Sequence, residues 1–352
     1  MSSIVHERPG VYSSYDASML VRRGTASKVV GVAALAAQGE TDQVELVTSY
    51  EEGLTVFGTD GEGQGMAEIL RLLFLNGVTA VRAVRAADAE HYQDAFDLLS
   101  MEEDIQVVVC DSGELTVQQL LRTSLESASA ARRERIGVVG SSGEDVSALI
   151  TRAEGLNSER MVLVGPDVTD QGGKTLSGVF AAAAVAGAIA ANSDPAVPLN
   201  GTGLQGLGGV SVRYSENDID LLVRGGVTPL EAVGGVVSPV RGITTRTKTG
   251  GVEDTTWREL TTIMIVDDVI PAVRTALRSR FTRTKNTLQT RGAIRSQVIV
   301  ELENKLAAQI IDGYGEVTVE ADSVDPTVCL VEFSFAVAHG LNQIYLTAHI
   351  TV

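Results

Sequence analysis

The chain has very little cysteine or histidine. It contains two cysteines and four histidines in 352 residues, too few for the disulfide framework of a small secreted domain. Cys110 and Cys329 each lie in an apolar, strand-like run, which predicts buried, reduced thiols. The histidines are scattered, and none stands at metal-ligand spacing from another or from a cysteine: His6, His91, His339 and His349. We therefore predict no metal and no cofactor.

Aromatic residues and long apolar runs are also scarce. Phe, Tyr and Trp make up 4% of the chain, whereas hydrophobic residues reach 44%, so a core of small aliphatic side chains is expected. The most apolar helix candidate, residues 178–191, is shorter than the roughly 20 residues that cross a bilayer. The first ten residues are polar and show no secretory signal. These features predict a soluble protein made in the cytoplasm, without insertion into a membrane.

Basic residues are few and unevenly spread. The chain carries a net charge of −17, yet residues 241–295 hold eleven basic and five acidic residues and net +6. A basic segment on an acidic body predicts contact with an acidic partner: a nucleic acid, an acidic protein or another copy of the chain. The overall acidity and the lack of interleaved aromatics argue against direct nucleic-acid binding.

The order of predicted elements divides the chain into an α/β domain and an α+β domain. Residues 1–25 show no core pattern and are interpreted as an N-terminal arm. Over residues 26–200, short apolar strands alternate with amphipathic helices, which predicts a mostly parallel sheet covered on both faces. Prolines and glycines in residues 192–210 predict a linker. The second domain is then expected over residues 201–342, with residues 343–352 apart from it.

The second domain is predicted to contain two helices and three strands. The β-branched run Ile263–Val266 predicts a short strand before the first helix. Asp267 is placed to cap that helix, and Pro271 suits its first turn. Apolar residues at steps of four predict a second helix that ends near Gly313. The three strands follow at residues 316–320, 328–337 and 343–352.

The last predicted strand alternates apolar and polar side chains up to the final residue. In the N-terminal arm, Val11 and Tyr12 begin another extended stretch after a Pro-Gly turn. Such strands pair within their own sheet or are donated to the open edge of a neighbour's sheet. The candidates for inter-subunit strand contacts are Val11, Tyr12, Ile344, Leu346, Ala348, Ile350 and Val352.

Three segments resemble catalytic or nucleotide-binding motifs without completing one. Residues 61–65 have the pattern G-x-G-x-G rather than the dinucleotide fingerprint, and Gly173-Lys174-Thr175 lacks the first glycine of a phosphate loop. Residues 140–144 miss the last glycine of a nucleophile elbow. The chain is therefore predicted not to be an enzyme. The alternative is an α/β-domain enzyme with a small-molecule site at the strand ends, near Asp111, Ser141 and Asp167.

The helix predicted to begin near Val269 carries much of the basic segment. Helical spacing puts Arg274, Arg278 and Lys285 on one side, beside the apolar stripe. Arg280 and Arg283 lie on the far side. A solvated helix face explains such a row, and so does an acidic protein whose carboxylates pair with it.

Several short segments, in order along the chain, carry a family resemblance. They are Arg8–Tyr12 (RPGVY), residues 48–58, Phe74–Gly77 (FLNG), Ala80–Arg85 (AVRAVR), Arg241–Thr247 (RGITTRT), Val266–Val269 (VDDV) and His339–Leu341 (HGL). In their order and spread they resemble the contractile tail sheath proteins of bacteriophages and phage-tail-like bacteriocins. The chain is short for that family, which implies that large outer decorating domains are absent.

The resemblance implies a structural subunit with an outer α/β domain and an inner C-terminal α+β domain. Subunits of this family form stacked hexameric rings around an inner tube, and contraction drives the tube through a cell envelope. Arms from neighbouring subunits complete the inner sheet. The implied partners are other copies, the tail tube protein, the baseplate and the tail terminator, in a virion tail or a released particle. The tube contact would fall to Arg274, Arg278 and Lys285, and then to Arg280 and Arg283.

Overall fold

The computed structural model describes residues 28–342 and 346–348. Its strands are β1 (Val29–Ala34), β2 (Glu45–Val47), β3 (Val81–Arg85), β4 (Ile105–Cys110), β5 (Ile136–Gly140), β6 (Met161–Gly165), β7 (Val168–Thr169), β8 (Thr175–Leu176), β9 (Gly209–Val210), β10 (Val227–Val233), β11 (Val236–Pro239), β12 (Lys248–Thr249), β13 (Val252–Glu253), β14 (Ile311–Tyr314), β15 (Thr318–Ala321), β16 (Cys329–Glu332) and β17 (Phe335–Val337). Its helices are α1 (Tyr50–Phe57), α2 (Met66–Leu75), α3 (Tyr92–Met101), α4 (Leu115–Ala130), α5 (Val146–Leu156), α6 (Gly178–Ala191), α7 (Glu216–Arg224), α8 (Leu260–Phe281) and α9 (Leu288–Ala307).

An eight-stranded sheet forms the centre of an α/β body, in the order β11-β10-β6-β5-β4-β1-β3-β2. The six inner strands run parallel to one another, and β2 and β11 add antiparallel strands at the two edges. Helices cover both faces, so β1, β5 and β6 are buried on both sides and their sequences are unbroken apolar runs. The predicted α/β fold with a mostly parallel sheet is confirmed.

The alanine-rich helix α6 lies almost directly on the sheet. Its side chains are buried, together with those of α2, in the core on one face, while α3, α4 and α5 cover the other. Gly140 on β5 permits this close approach, since a Cβ there would lie 2.1 Å from the carbonyl oxygen of Gly178. A glycine inside a strand commonly marks such a meeting of two backbones.

The α/β body extends further along the chain than the sequence predicts. Strand β10 is hydrogen-bonded to β6 within the sheet, and β9 pairs with β7, so the predicted boundary at residue 200 is wrong. Residues 192–210 are not a linker, because Leu199 and Leu204 are buried in the core. A glycine such as Gly206, with a φ of 85°, makes a tight turn within the body.

Helix α8 replaces the strand and the shorter helix that the sequence predicts. It runs unbroken from Leu260 to Phe281, so the predicted strand Ile263–Val266 is wrong, and Pro271 lies inside the helix. The proline removes one helix hydrogen bond. Burial outweighs the β propensity of this run because Ile263 packs in the core of the α/β body and Ile265 in a second core.

The C-terminal part of the chain forms an α+β layer on α8 and α9. The two helices enclose the second core with side chains that include Val269, Val298 and Leu302. Two antiparallel ladders cover this core, β14 with β17 and β15 with β16. The strand predicted over residues 328–337 is therefore two short strands with different partners. The α+β architecture predicted for this part of the chain is present.

The predicted arms lie almost entirely outside the described residues. Residues 1–25, with Val11 and Tyr12, are among those the structure does not describe, as are Ile344, Ile350 and Val352. Leu346 and Ala348 are described; both are exposed and belong to no helix or strand. The interpretation of these segments as donated strands stays a prediction.

Replacing Gly140 by alanine is expected to destabilise the protein by about 3 kcal/mol, because the new methyl group would overlap with the backbone of α6. Gly292→Ala is the matched control. Gly292 lies within α9 with open space around it, so alanine there should stabilise the protein by about 0.5–1 kcal/mol. Urea unfolding measures both changes, and equal stabilities would contradict the close packing of α6 on the sheet.

Candidate functional site

The carboxyl ends of the parallel strands, where an α/β enzyme would bind its substrate, are occupied by the protein's own side chains. Asp111 follows β4. Its Oδ2 accepts a hydrogen bond from the Leu35 amide at 2.9 Å, and its Oδ1 accepts one from the Tyr92 hydroxyl. Burial raises the pKa of Asp111 to about 6. This carboxyl group thus links the ends of β1 and β4 to the start of α3.

Asp167 plays the same part after β6. Its Oδ1 accepts a hydrogen bond from the Gly178 amide at 2.7 Å, and its Oδ2 accepts one from the Gly143 amide at 2.8 Å. Gly178 opens α6, whose N-terminus would otherwise suit a phosphate or another anion. Ser141 is 4% exposed. Internal hydrogen bonds therefore fill this edge of the sheet, which argues against a small-molecule site near Asp111, Ser141 and Asp167.

The other two motif-like segments line one open cleft of about 680 Å³, to which the first contributes Gly61 and Gly63 and the second Lys174. Gly173-Lys174-Thr175 belongs to the hairpin of β7 and β8, in which Thr175 lies opposite Thr169. Across the described residues, no group of three or more His, Cys, Asp or Glu side chains could hold a metal ion. Among the helices that the structure describes, none is long and apolar enough to cross a membrane.

The predicted basic segment is divided between internal salt bridges and exposed cations. Four bases pair with carboxylates of the same chain: Arg241 with Glu259, Arg246 with Glu159, Lys248 with Glu154, and Arg295 with Glu316. Arg274, predicted to contact a partner, pairs with Glu134 through Nη2 and Oε1 at 2.7 Å. Much of the positive charge counted in the sequence is therefore neutralised within the protein.

The end of α8 and the turn into α9 carry the cations that stay exposed. Arg278, Arg283 and Lys285 are exposed and make no salt bridge with any residue the structure describes. Arg280 is also exposed, and its Nη1 donates a hydrogen bond to the Gln297 side chain on α9. Four of the five predicted contact residues thus lie at one end of the helix pair, and Arg274 is held by Glu134.

Salt bridges join the C-terminal layer to the α/β body. Arg160, just before β6, donates to both carboxylate oxygens of Asp267 at 2.8 and 3.0 Å. Burial raises the pKa of Asp267, while Arg160 opposes that rise. Arg160 and Glu134 could not be found from the sequence, because they lie 107 and 140 residues from their partners on α8. The charged run at residues 132–135, unusual in this acidic chain, was the one available signal.

The strands of the C-terminal layer have unpaired edges. In the described part of the chain, each of β14 to β17 has a single neighbouring strand. From Cys329 to Val337, half-buried and exposed residues alternate, so one face packs on the second core and the other faces solvent. Even the inward side chains, such as Phe333 and Phe335, are only half-buried. Two-stranded ladders are marginal alone, and open edges accept further strands.

Comparison with known proteins identifies the family. The model of the phage tail sheath protein central domain matches residues 85–245, and that of the phage tail sheath C-terminal domain matches residues 252–351. A tail sheath protein of Bacillus phage SP01 is 30% identical over 265 residues, which cover 73% of this chain and 45% of that protein. The match thus spans less than half of that relative's length.

Solved sheath structures share the fold. The anti-feeding prophage helical sheath in its contracted state has a TM-score of 0.73 at 18% identity, over 98% of this chain and 99% of that chain. The contracted PVC sheath complex, from an extracellular contractile injection system, reaches 0.72 at 14% identity, over 99% of each chain. The sheath tail protein of Desulfitobacterium hafniense reaches 0.70 at 12% identity, over 93% of this chain and 100% of that one.

These matches define a class of structural proteins that build the sheaths of contractile particles. The chain belongs to the phage tail sheath family. Membership of this family confirms the prediction that the chain is not an enzyme.

The ionisation of Asp111 is expected to lower the stability of the protein as pH rises from about 4 to about 6. The folded protein raises this pKa from 3.8 to about 6, so the folded state binds the proton more tightly than the unfolded state. Protonated Asp111 therefore stabilises the folded state by about 3 kcal/mol relative to ionised Asp111. This stabilisation is fully present below the pKa that Asp111 has in the unfolded state, and it is lost as the pH rises through the pKa of the folded state.

Urea unfolding of the wild type and of Asp111→Asn at several pH values measures this effect. The difference in unfolding free energy between the two proteins should change by that amount between about pH 3 and pH 7. Asp94→Asn, which removes an exposed carboxylate on α3, is the control and should show no such change. A difference that stays constant with pH would contradict the burial of Asp111.

Proposed function

We propose that the chain is a structural subunit of a contractile tail sheath. It polymerises as stacked hexameric rings around an inner tube and contracts to drive that tube through the envelope of a target cell. The open strand edges of the C-terminal layer carry this proposal. They leave β14 to β17 with one partner each among the described residues and an inner face that is only half-buried. Strands from neighbouring copies would pair with these edges and cover that face.

The chain ends are the proposed source of those strands. Residues 1–25 would contribute Val11 and Tyr12, and residues 343–352 would contribute their alternating apolar side chains. Leu346 is 91% exposed, which fits a side chain that becomes buried against another subunit. The backbone hydrogen bonds of an added strand would keep neighbouring subunits linked during contraction, while weaker surface contacts break and re-form.

The exposed cations at the end of α8 would contact an acidic inner tube. Arg278, Arg283 and Lys285 have no carboxylate partner in the part of the chain that is described, and Arg280 extends the same surface. Exposed ion pairs are individually weak, so a row of them would hold the tube in the extended sheath and release it as subunits move outward. Arg274 fits this role less well because it already pairs with Glu134.

Contraction would draw on free energy stored at subunit interfaces during assembly. Structures of the same fold come from sheaths and baseplates in the contracted state, which supports a sheath that changes state next to a baseplate. The tail terminator would close its other end. Assembly would take place in the bacterial cytoplasm, and the product would be a virion tail or a released particle.

Removing residues 343–352 is expected to abolish polymerisation while leaving the α/β body folded, because its sheet is complete without them. The wild type should form striated cylinders in negative-stain electron micrographs, and the truncated protein should sediment as monomers or small oligomers with an unchanged melting temperature. A variant with a Gly/Ser sequence of equal length in place of the ten residues separates strand pairing from chain length.

Cylinders formed by the truncated protein would refute strand donation. A wild type that stays monomeric at high concentration, with and without a tube protein, would refute the sheath function itself.

Charge reversal of Arg283 and Lys285 to glutamate is expected to raise the protein concentration needed for tube-templated assembly about tenfold, through the loss of two exposed ion pairs. Arg213→Glu with Arg224→Glu is the matched control, since both arginines are exposed on the α/β body and the change in charge is the same. Assembly on purified tubes is scored by electron microscopy. Equal behaviour of the two double variants would remove Arg283 and Lys285 as tube contacts.

A further inference from the structure

A second cation-lined surface lies where the C-terminal layer meets the α/β body. It is a cleft of about 570 Å³ between helix α8 and the amino ends of β4 and β5. The charged side chains that line it are Arg132, Arg133, Arg274, Arg278, Glu103, Glu134 and Asp267. The cleft therefore continues the basic surface of α8 onto the loop between α4 and β5, far from the basic segment of the sequence.

Unpaired positive charge exceeds unpaired negative charge in this cleft. Glu134 and Asp267 are already held in the salt bridges that join the two parts of the protein. Arg132, Arg133 and Arg278 have no carboxylate partner within residues 28–342, which leaves three cations beside Glu103. The Nε–H of Arg133 is also buried without a hydrogen-bond acceptor among the described residues. The cleft is therefore suited to a ligand that brings carboxylates.

Arg132 occupies a backbone position that favours glycine. It follows the C-cap of α4 with a φ of 67°. Its N–H donates to the Ser129 carbonyl and the Arg133 N–H to the Ala128 carbonyl, both at 2.9 Å, which is the Schellman pattern at a helix end. A residue with a side chain is disfavoured there. A large cationic side chain in this conformation, in the lining of a cleft, indicates a use for that side chain.

We propose, on the basis of the sheath function above, that this cleft binds the acidic face of α3 from a second copy of the chain. Copies with a net charge of −17 repel one another unless basic surfaces meet acidic ones. The complementary surface is on the same chain. Asp94 and Asp97 are exposed one turn apart on α3 and make no salt bridge with residues the structure describes. Met101 extends this face with an apolar side chain that is 73% exposed.

The test compares self-assembly of charge-reversed variants at low and high salt, by sedimentation and light scattering. Arg132→Glu with Arg133→Glu should raise the protein concentration needed for assembly at least tenfold at low salt, and much less at high salt. Arg213→Glu with Arg224→Glu is the control of equal charge change. Asp94→Lys with Asp97→Lys should cause a similar loss, and the combination of the two reversed pairs should restore assembly.

The single variant Arg132→Gly tests the cleft even if the double charge reversal prevents folding. It removes one cation and relieves the left-handed backbone, so its melting temperature should equal or exceed that of the wild type while its assembly is weakened. Normal assembly of Arg132→Gly would overturn the proposal even if the double variant were unstable.

The outcomes separate this proposal from the sheath function. If the wild type polymerises and the Arg132 and Arg133 variant behaves like the control, only the cleft proposal falls. If that variant loses only the binding of purified tube protein, and reversal of Asp94 and Asp97 has no effect, the occupant is not a second copy and the proposal is overturned. A wild type that never self-associates overturns both.

Discussion

Helix α8 is the element on which both parts of the structure depend. Its first turns place Leu260 and Ile263 in the core of the α/β body, and its later turns place Ile265, Val269 and Val273 in the core of the C-terminal layer. Exposing one such side chain to water costs about 1.5–3 kcal/mol of free energy. Because one continuous helix belongs to both cores, the two parts cannot turn against each other without exposing apolar surface. The proposed sheath subunit would therefore move as one piece.

Satisfied and unsatisfied polar groups are distributed differently in the two parts of the protein. At the strand ends of the α/β body, Asp111 and Asp167 each accept two hydrogen bonds from the chain itself. In the C-terminal layer, strand edges have no second neighbour and the cations at the end of α8 have no carboxylate, among the residues described. An enzyme of this architecture would keep polar groups available at its strand ends. In this chain, the polar groups that lack partners among the described residues lie instead on the surfaces where other copies and partners are proposed to bind.

The elements that could be predicted from the sequence are those in which the local pattern and the final burial agree. Helix α6 has the predicted bounds, and β4, β5 and β6 alternate with helices as predicted, because apolar runs between turn signals allow few alternatives. The helix at Ile263–Val266 could not be predicted, because its β-branched residues are buried by two cores built from distant parts of the chain. The boundary at residue 200 failed because proline and glycine mark a turn without showing whether it separates domains. The partner of Arg274 could not be predicted, since Glu134 lies 140 residues earlier.

The charge of the chain limits which contacts can hold a sheath together. At physiological salt, charges further apart than about 8 Å are largely screened, and exposed ion pairs contribute about 0–1 kcal/mol each. With a net charge of −17, the cations at the cleft and at the end of α8 offset repulsion locally and set which faces meet. The ion pairs that these cations form are too weak to transmit the force of contraction. Added strands form several backbone hydrogen bonds that do not depend on charge. A sheath of this chain would therefore take its cohesion from shared strands and its reversible contacts from arginine and lysine side chains.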